Sequence, residues 1–85
     1  MSTIFIYFLI RYVFMDFKDR LKTLRLSNNL TQLDIANYLK INDRSYQNLE
    51  YGKSKPKYDT LIKLADYYNI SIDYLVGRSD DPTRR

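Results

Sequence analysis

Three short pairs constrain the fold of this 85-residue chain more than any other feature: Leu30-Thr31, Ile41-Asn42 and Ile70-Ser71. In each, an apolar residue stands directly before a good helix N-cap. A second apolar residue, Ile35, Tyr46 or Leu75, follows where a hydrophobic staple would close. After Thr31, Asp34 also takes the capping-box position. Replacing such a cap by alanine costs about 1 kcal/mol, so three matching starts specify three helices. Their spacing predicts helices near 32–39, near 43–51 and near 72–76, the last closed by Gly77.

Two further helices follow from periodicity. Phe17, Leu21, Leu24 and Leu26 keep the three-to-four spacing of an amphipathic helix, interleaved with Lys18, Asp19, Lys22 and Arg25. Ser27-Asn28-Asn29 ends it. Gly52 stops the helix at 43–51, and Pro56 bars a helix through the loop 51–57. Leu61, Leu64, Ala65 and Tyr68 then mark one face of a fourth helix. The tail, residues 78–85, is polar, carries a proline and is expected to fray. No strand pattern occurs after residue 15, so the domain is all-α.

Helices of about two turns are not stable alone in water, so 32–39 and 43–51 must pack on each other. Ala36 permits a close crossing, and Ile35, Leu39, Ile41, Tyr46 and Leu49 form a shared apolar seam. A tight turn with a small contact residue is what a helix-turn-helix requires. In that arrangement the second helix projects its polar side into a major groove. At roughly 100° per residue, Asp43, Arg44, Gln47 and Asn48 gather on that side.

These residues carry base-edge chemistry. Arg44 can donate twice to guanine O6 and N7, and Gln47 and Asn48 can pair in the same bidentate manner with adenine N6 and N7. Asp43 can accept from cytosine N4, although a carboxylate in the first turn also favours the helix dipole, its weightier role. An ordinary solvated helix would also carry two amides, which makes Arg44 the most telling of the four.

The charge distribution agrees. The net charge of +4 and pI near 9.4 lean mildly towards polyanions. Lys40, Arg44, Lys53, Lys55 and Lys57 cluster around the 43–51 segment, opposed only by Asp43 and Glu50. From Asp59 onward the balance reverses. One basic region on a mixed surface is the footprint of a nucleic-acid binder. With no cysteine and no histidine, disulfides, imidazole catalysis and most zinc chemistry are excluded. No glycine-rich phosphate loop and no pair of acids placed for proton transfer occurs, so neither an enzyme nor a cofactor is expected.

Residues 1–14 differ in character, with a wholly apolar run from Ile4 to Ile10. The run is shorter than the ~20 residues of a membrane span, and it lacks the flanks of a signal peptide. Three readings stand: an upstream extension with Met15 as the natural start, an apolar arm that packs on a second copy, or, well behind these, a membrane tether.

Residues 17–77 resemble the helix-turn-helix domain of the phage-repressor and Cro class, the XRE family. The resemblance rests on an ordered set: Leu30-Thr31-Gln32, Ile35-Ala36, Leu49-Glu50-Tyr51-Gly52, Pro56, Leu61 with Leu64-Ala65, and Ile70 through Leu75. It implies a compact five-helix, lambda-repressor-like fold, here with an extra apolar N-terminal segment at 1–14, a DNA-binding domain at 15–77 and a polar tail at 78–85. It further implies that Gln32 bonds a phosphate and buttresses the start of the third helix. Thr31 and Asn42 would reach phosphates as well as cap. Asp43, Arg44, Gln47 and Asn48 fall where the family reads bases, and Lys53 and Lys55 would touch phosphates, unless they are merely a solvated loop. Arg25 and Glu50 match a pair that forms a structural salt bridge.

Three positions depart from the family pattern. Lys40 stands where the turn usually carries glycine, and a lysine with positive φ is strained. Lys57 replaces a serine-like cap, and Asp43 brings negative charge close to phosphates. The expectation is a cytoplasmic transcriptional regulator, most simply a repressor that binds a palindromic double-stranded DNA operator as a homodimer. Its dimer contact would be either the last helix, through Tyr74, Leu75 and Val76, or the N-terminal arm. The runner-up is a protein-interaction regulator, such as the antitoxin of a toxin–antitoxin pair, to which the nine tyrosines would suit an interface.

Overall fold

The structure, a computed structural model, describes residues 15–84, so the apolar segment at 1–14 lies outside the described residues. Five helices follow in order: α1 (Phe17–Ser27), α2 (Gln32–Leu39), α3 (Asp43–Tyr51), α4 (Tyr58–Tyr68) and α5 (Ile72–Leu75). Among the described residues there is no strand.

Each helix start is satisfied by local chemistry. Thr31 Oγ1 accepts the Asp34 N–H at 3.0 Å while Asp34 accepts the Thr31 N–H at 2.8 Å, a complete capping box. Asn42 Oδ1 accepts from Ser45 N at 2.7 Å, and Ser71 Oγ from Tyr74 N at 3.0 Å. Asp16 caps α1 in the same way, whereas Lys57 offers α4 no side-chain bond. The three staple partners Ile35, Tyr46 and Leu75 are all fully buried.

The helix ends use one device repeatedly. Asn29, Lys40, Gly52 and Asn69 all adopt positive φ, at 57°, 59°, 77° and 54°. The next residue then donates its N–H backward over the helix end: Leu30 to Arg25 O, Ile41 to Ala36 O, Lys53 to Asn48 O and Ile70 to Ala65 O, at 2.9–3.1 Å. Leu30, Ile41 and Ile70 therefore serve twice. Their amides close one helix and their side chains staple the next. Residue triplets of this kind leave no slack in the connections, so α2 and α3 cross in one fixed arrangement. Gly77 repeats the left-handed conformation after α5, with φ 85°, and there a Cβ would collide with the Met15 carbonyl oxygen.

The core gathers Leu21, Ile35, Leu39, Tyr46, Leu49, Leu64 and Leu75 around Ala36 and Ala65. Ala36 is fully buried, and α2 makes its most extensive contacts with α3. Beside this core lies a buried polar junction. Glu50 accepts from Arg25 Nε at 2.6 Å, Arg25 Nη2 at 3.1 Å, Gln32 Nε2 at 3.2 Å and Tyr46 Oη at 2.5 Å. The third nitrogen of Arg25 donates to Leu30 O at 2.9 Å. One carboxylate thus joins α1, α2 and α3. Burial alone would raise the Glu50 carboxyl, but the hydrogen bonds from Arg25, Tyr46 and Gln32 hold it below its ordinary value.

Four expectations from the sequence change here. Leu26 is 54% exposed and does not join the face of Phe17, Leu21 and Leu24; Arg20 and Arg25 are buried on α1 instead. The last helix ends at Leu75, one residue early. Leu75 is fully buried and so is not open for pairing with a second copy, while Tyr74 is half-buried with the Arg20 guanidinium 3.8 Å from its ring centre. The tail docks on the domain rather than fraying: Ser71 N donates to Pro82 O at 3.0 Å, and Arg84 pairs with Asp66 at 2.6 Å.

Two outcomes are expected. Lys40→Gly removes a left-handed lysine and should stabilise the fold by about 1 kcal/mol, seen as a higher urea midpoint with an unchanged slope; a lower midpoint would show that the lysine is not strained. Because the folded Glu50 carboxyl is depressed, its contribution is present above the ordinary value of 4.5 and is lost as pH falls through the folded value. Arg25→Met should cost about 3–5 kcal/mol near neutrality by stranding a buried charge, and unfolding free energies measured against pH should show Glu50→Gln without the acid-side decline that Glu50 causes.

Candidate nucleic-acid interface

The rotation of α3 about its own axis follows from its sequence. Tyr46, Leu49 and Glu50 are buried, and these three fix the inward side. Arg44, Gln47, Asn48 and Tyr51 consequently lie on the other side at helical spacing, while Asp43, seven residues before Glu50, stands at the edge of that side and is exposed because it opens the helix. Asp43 and Arg44 are exposed, whereas Gln47 and Asn48 are half-buried. Arg44, Gln47 and Asn48 stand within two turns of one another.

The distribution of unused hydrogen-bond donors tells what this surface can do. Among the described residues, no side-chain hydrogen bond or ion pair engages Arg44 or Asn48, so the guanidinium fork and the amide keep their full donor sets. Thr31 and Asn42 accept backbone N–H groups through oxygen, which leaves the Thr31 hydroxyl proton and the Asn42 amide hydrogens available. Gln47 differs: its Nε2 donates to Asp43 Oδ2 at 2.9 Å. Asp43 is therefore engaged inside the helix and not simply displayed.

Beside the α3 surface, a cleft of about 430 Å³ separates the start of α2 from the end of α3. Thr31 and Gln32 line one wall, Glu50 and Tyr51 another, with Lys22 and Arg25 of α1 contributing. Arg25 balances the Glu50 charge, so the exposed Lys22 leaves the lining of the cleft net cationic. Gln32 sits here, but its contact is with Glu50 in the last turn of α3, not with the start of α3 as the resemblance implied.

The loop after α3 is tied down at its first residues. Lys53 N and Ser54 N both donate to Asn48 O, at 2.9 and 3.3 Å. The Lys53 ammonium stands 5.9 Å from the Tyr51 ring, and the Lys18 side chain runs over Gly52. Lys53, Lys55 and Lys57 are all exposed. Together the outward side of α3, the cleft and this loop bring the nine binding residues expected from the sequence into two adjoining elements and their flanks. Arg25 and Glu50 lie behind them as scaffold.

Two residues escaped the sequence reading. Tyr51 is 57% exposed on the same side of α3 as Arg44 and Gln47, four residues beyond Gln47. Lys22 is an exposed cation at the cleft. The signal for Tyr51 was available in the helical spacing, but a tyrosine beside Gly52 reads equally well as a staple for the helix end. Lys22 carried no signal, because its position depends on how α1 crosses α3.

Known proteins place this arrangement. The family model described as Helix-turn-helix matches residues 21–75. The chain is 40% identical over 64 residues to an uncharacterized HTH-type transcriptional regulator, YobD, of Bacillus subtilis (strain 168), covering 75% of this chain and 57% of that protein. It is 41% identical over 64 residues to the cryptic phage CTXphi transcriptional repressor RstR of Vibrio cholerae, again 75% of this chain and 57% of the relative. A crystal structure of a transcriptional regulator from Listeria innocua superposes with a TM-score of 0.71 at 35% identity, covering 73% of this chain and 58% of that one. The chain thus spans little more than half the length of these relatives. Over residues that include both helices of the motif, the turn between them and the buried Glu50 junction, it belongs to the helix-turn-helix family of the phage-repressor and Cro class.

Proposed function

We propose that this chain is a sequence-specific double-stranded DNA-binding regulator of transcription, acting as a repressor on a two-fold symmetric operator. The observation that carries the reading is the outward side of α3, where Arg44 keeps every donor unengaged beside Gln47 and Asn48. With α3 in the major groove, Arg44 pairs with guanine and the amides with adenine. Thr31, Gln32, Asn42, Lys53 and Lys55 hold phosphates and set register without specifying sequence. Arg25 and Glu50 hold the reading helix in place. The repressor RstR among its relatives supports the direction of control.

A single helix reads too few base pairs to find one site in a genome. A homodimer on half-sites about one turn of DNA apart, roughly 34–36 Å, supplies the rest. Residues 15–77 form the binding domain in this reading, and residues 78–84 brace it through Arg84 and Asp66. On α5, the exposed Ile72 and half-buried Val76 remain on the surface for such pairing. The role is one of binding rather than catalysis, and no described helix is long and apolar enough to cross a membrane.

Binding measured on duplexes selected from a random pool tests the reading. Arg44→Ala should relax preference at one base pair and cost about 1–3 kcal/mol. Lys55→Ala should weaken every sequence alike and flatten the slope of log affinity against log salt by about one unit. Equal affinity of the wild-type chain for selected and random duplexes, unaffected by Arg44→Ala, would refute base reading by α3.

A further inference from the structure

We infer that Asp43 reads no base itself but sets the base preference of Gln47, by fixing which end of the Gln47 amide faces which way. The inference rests on the reading of α3 as the base-contacting helix. Gln47 Nε2 donates to Asp43 Oδ2 at 2.9 Å across one helical turn. An ionised carboxylate only accepts hydrogen bonds. It can therefore hold the NH2 end of the amide and never the carbonyl end. The orientation is a consequence of chemistry, not a choice between two equivalent fits.

The surroundings reinforce this. Asp43 is the first residue of α3 and Gln47 is half-buried, so the glutamine has less room to swing away than an exposed one. With one N–H given to Asp43, the amide retains one N–H and its carbonyl oxygen in a fixed order. Adenine offers an acceptor, N7, and a donor, N6, side by side in the major groove, which matches that order. Guanine offers two acceptors, N7 and O6, and would set O6 against the amide carbonyl. An untethered glutamine could turn and meet guanine with its NH2 group. The carboxylate takes one of the two N–H donors that such a turn would present and resists the turn, so Asp43 is a positioning residue that narrows Gln47 towards adenine.

A carboxylate that acted only through charge, by favouring the helix dipole or repelling phosphates, would change affinity for all sequences alike. Base preference separates the two. Base preferences are measured on duplexes carrying single base-pair changes, for the full chain and for Gln47→Ala, Asp43→Ala, Asp43→Asn and the double variant Asp43→Ala with Gln47→Ala. Gln47→Ala identifies the base pair that Gln47 reads. Asp43→Ala is expected to lose about ten-fold discrimination at that same base pair, while the base pair read by Arg44 keeps its preference. Asp43→Asn should lose it too, because an amide at 43 can accept or donate and so permits both orientations. The double variant should lose no more there than Gln47→Ala alone. Unchanged preference at that base pair in Asp43→Ala, with affinity raised evenly, overturns the inference while the reading by α3 stands. Gln47→Ala with a wild-type profile also overturns it. Loss of all base preference in the wild-type chain overturns the functional reading itself.

Discussion

A single buried carboxylate fixes which side of α3 faces outward. Glu50 receives hydrogen bonds from α1 through Arg25, from α2 through Gln32 and from its own helix through Tyr46. Breaking such a pair by removing one partner is costly, about 3–5 kcal/mol, a large share of the stability of a small domain. The geometry is as important as the energy. Residue 50 must face the Arg25 fork, so residues 44, 47, 48 and 51, on other sides of the helix, must face away from it. An apolar seam alone would let a two-turn helix roll by a few tens of degrees; a forked, bidentate ion pair does not.

The connections complete this constraint. Asn29-Leu30-Thr31, Lys40-Ile41-Asn42 and Asn69-Ile70-Ser71 each combine a left-handed residue, a stapling apolar residue and a cap. Asparagine tolerates the left-handed region because its short polar side chain bonds locally. Lysine has no such compensation. Lys40 is therefore the one place among these three triplets where local preference and native conformation conflict, and conflicts of that kind cluster at functional sites. Here the side chain adds a cation beside the turn that leads into α3, so a small loss of stability accompanies a gain in positive charge next to that helix.

Much of the fold was legible because its instructions are local. Caps, staples and stop residues lie within five positions of one another, and the helices they predict at 32–39 and 43–51 match α2 and α3 residue for residue. What could not be read depends on residues far apart in sequence. Arg25 and Glu50 could be joined only through a family resemblance, being separated by 25 positions. The face of α1 was misread at Leu26 because periodicity assumes that charges point outward, whereas Arg20 rests against Tyr74 and Arg25 is neutralised by Glu50. The tail was expected to be loose on composition, but Arg84 finds Asp66, 18 positions away. In the site, the residue types on α3 were evident from spacing; the bond that engages Asp43 with Gln47 was not, since spacing permits a pair four apart to bond but water competes for both groups.

In the proposed complex α3 meets DNA with the side turned away from Glu50. Its most direct test is a titration of a selected duplex into isotopically labelled protein, followed by the side-chain N–H signals of Arg44, Gln47 and Asn48 and the backbone amides of 43–55. The expected result is that these signals shift strongly and saturably, while Tyr38 and Tyr67, whose tilted rings meet with centroids 4.5 Å apart between α2 and α4, stay still. Shifts centred on α4 and α5, with Arg44 unmoved, would contradict the account.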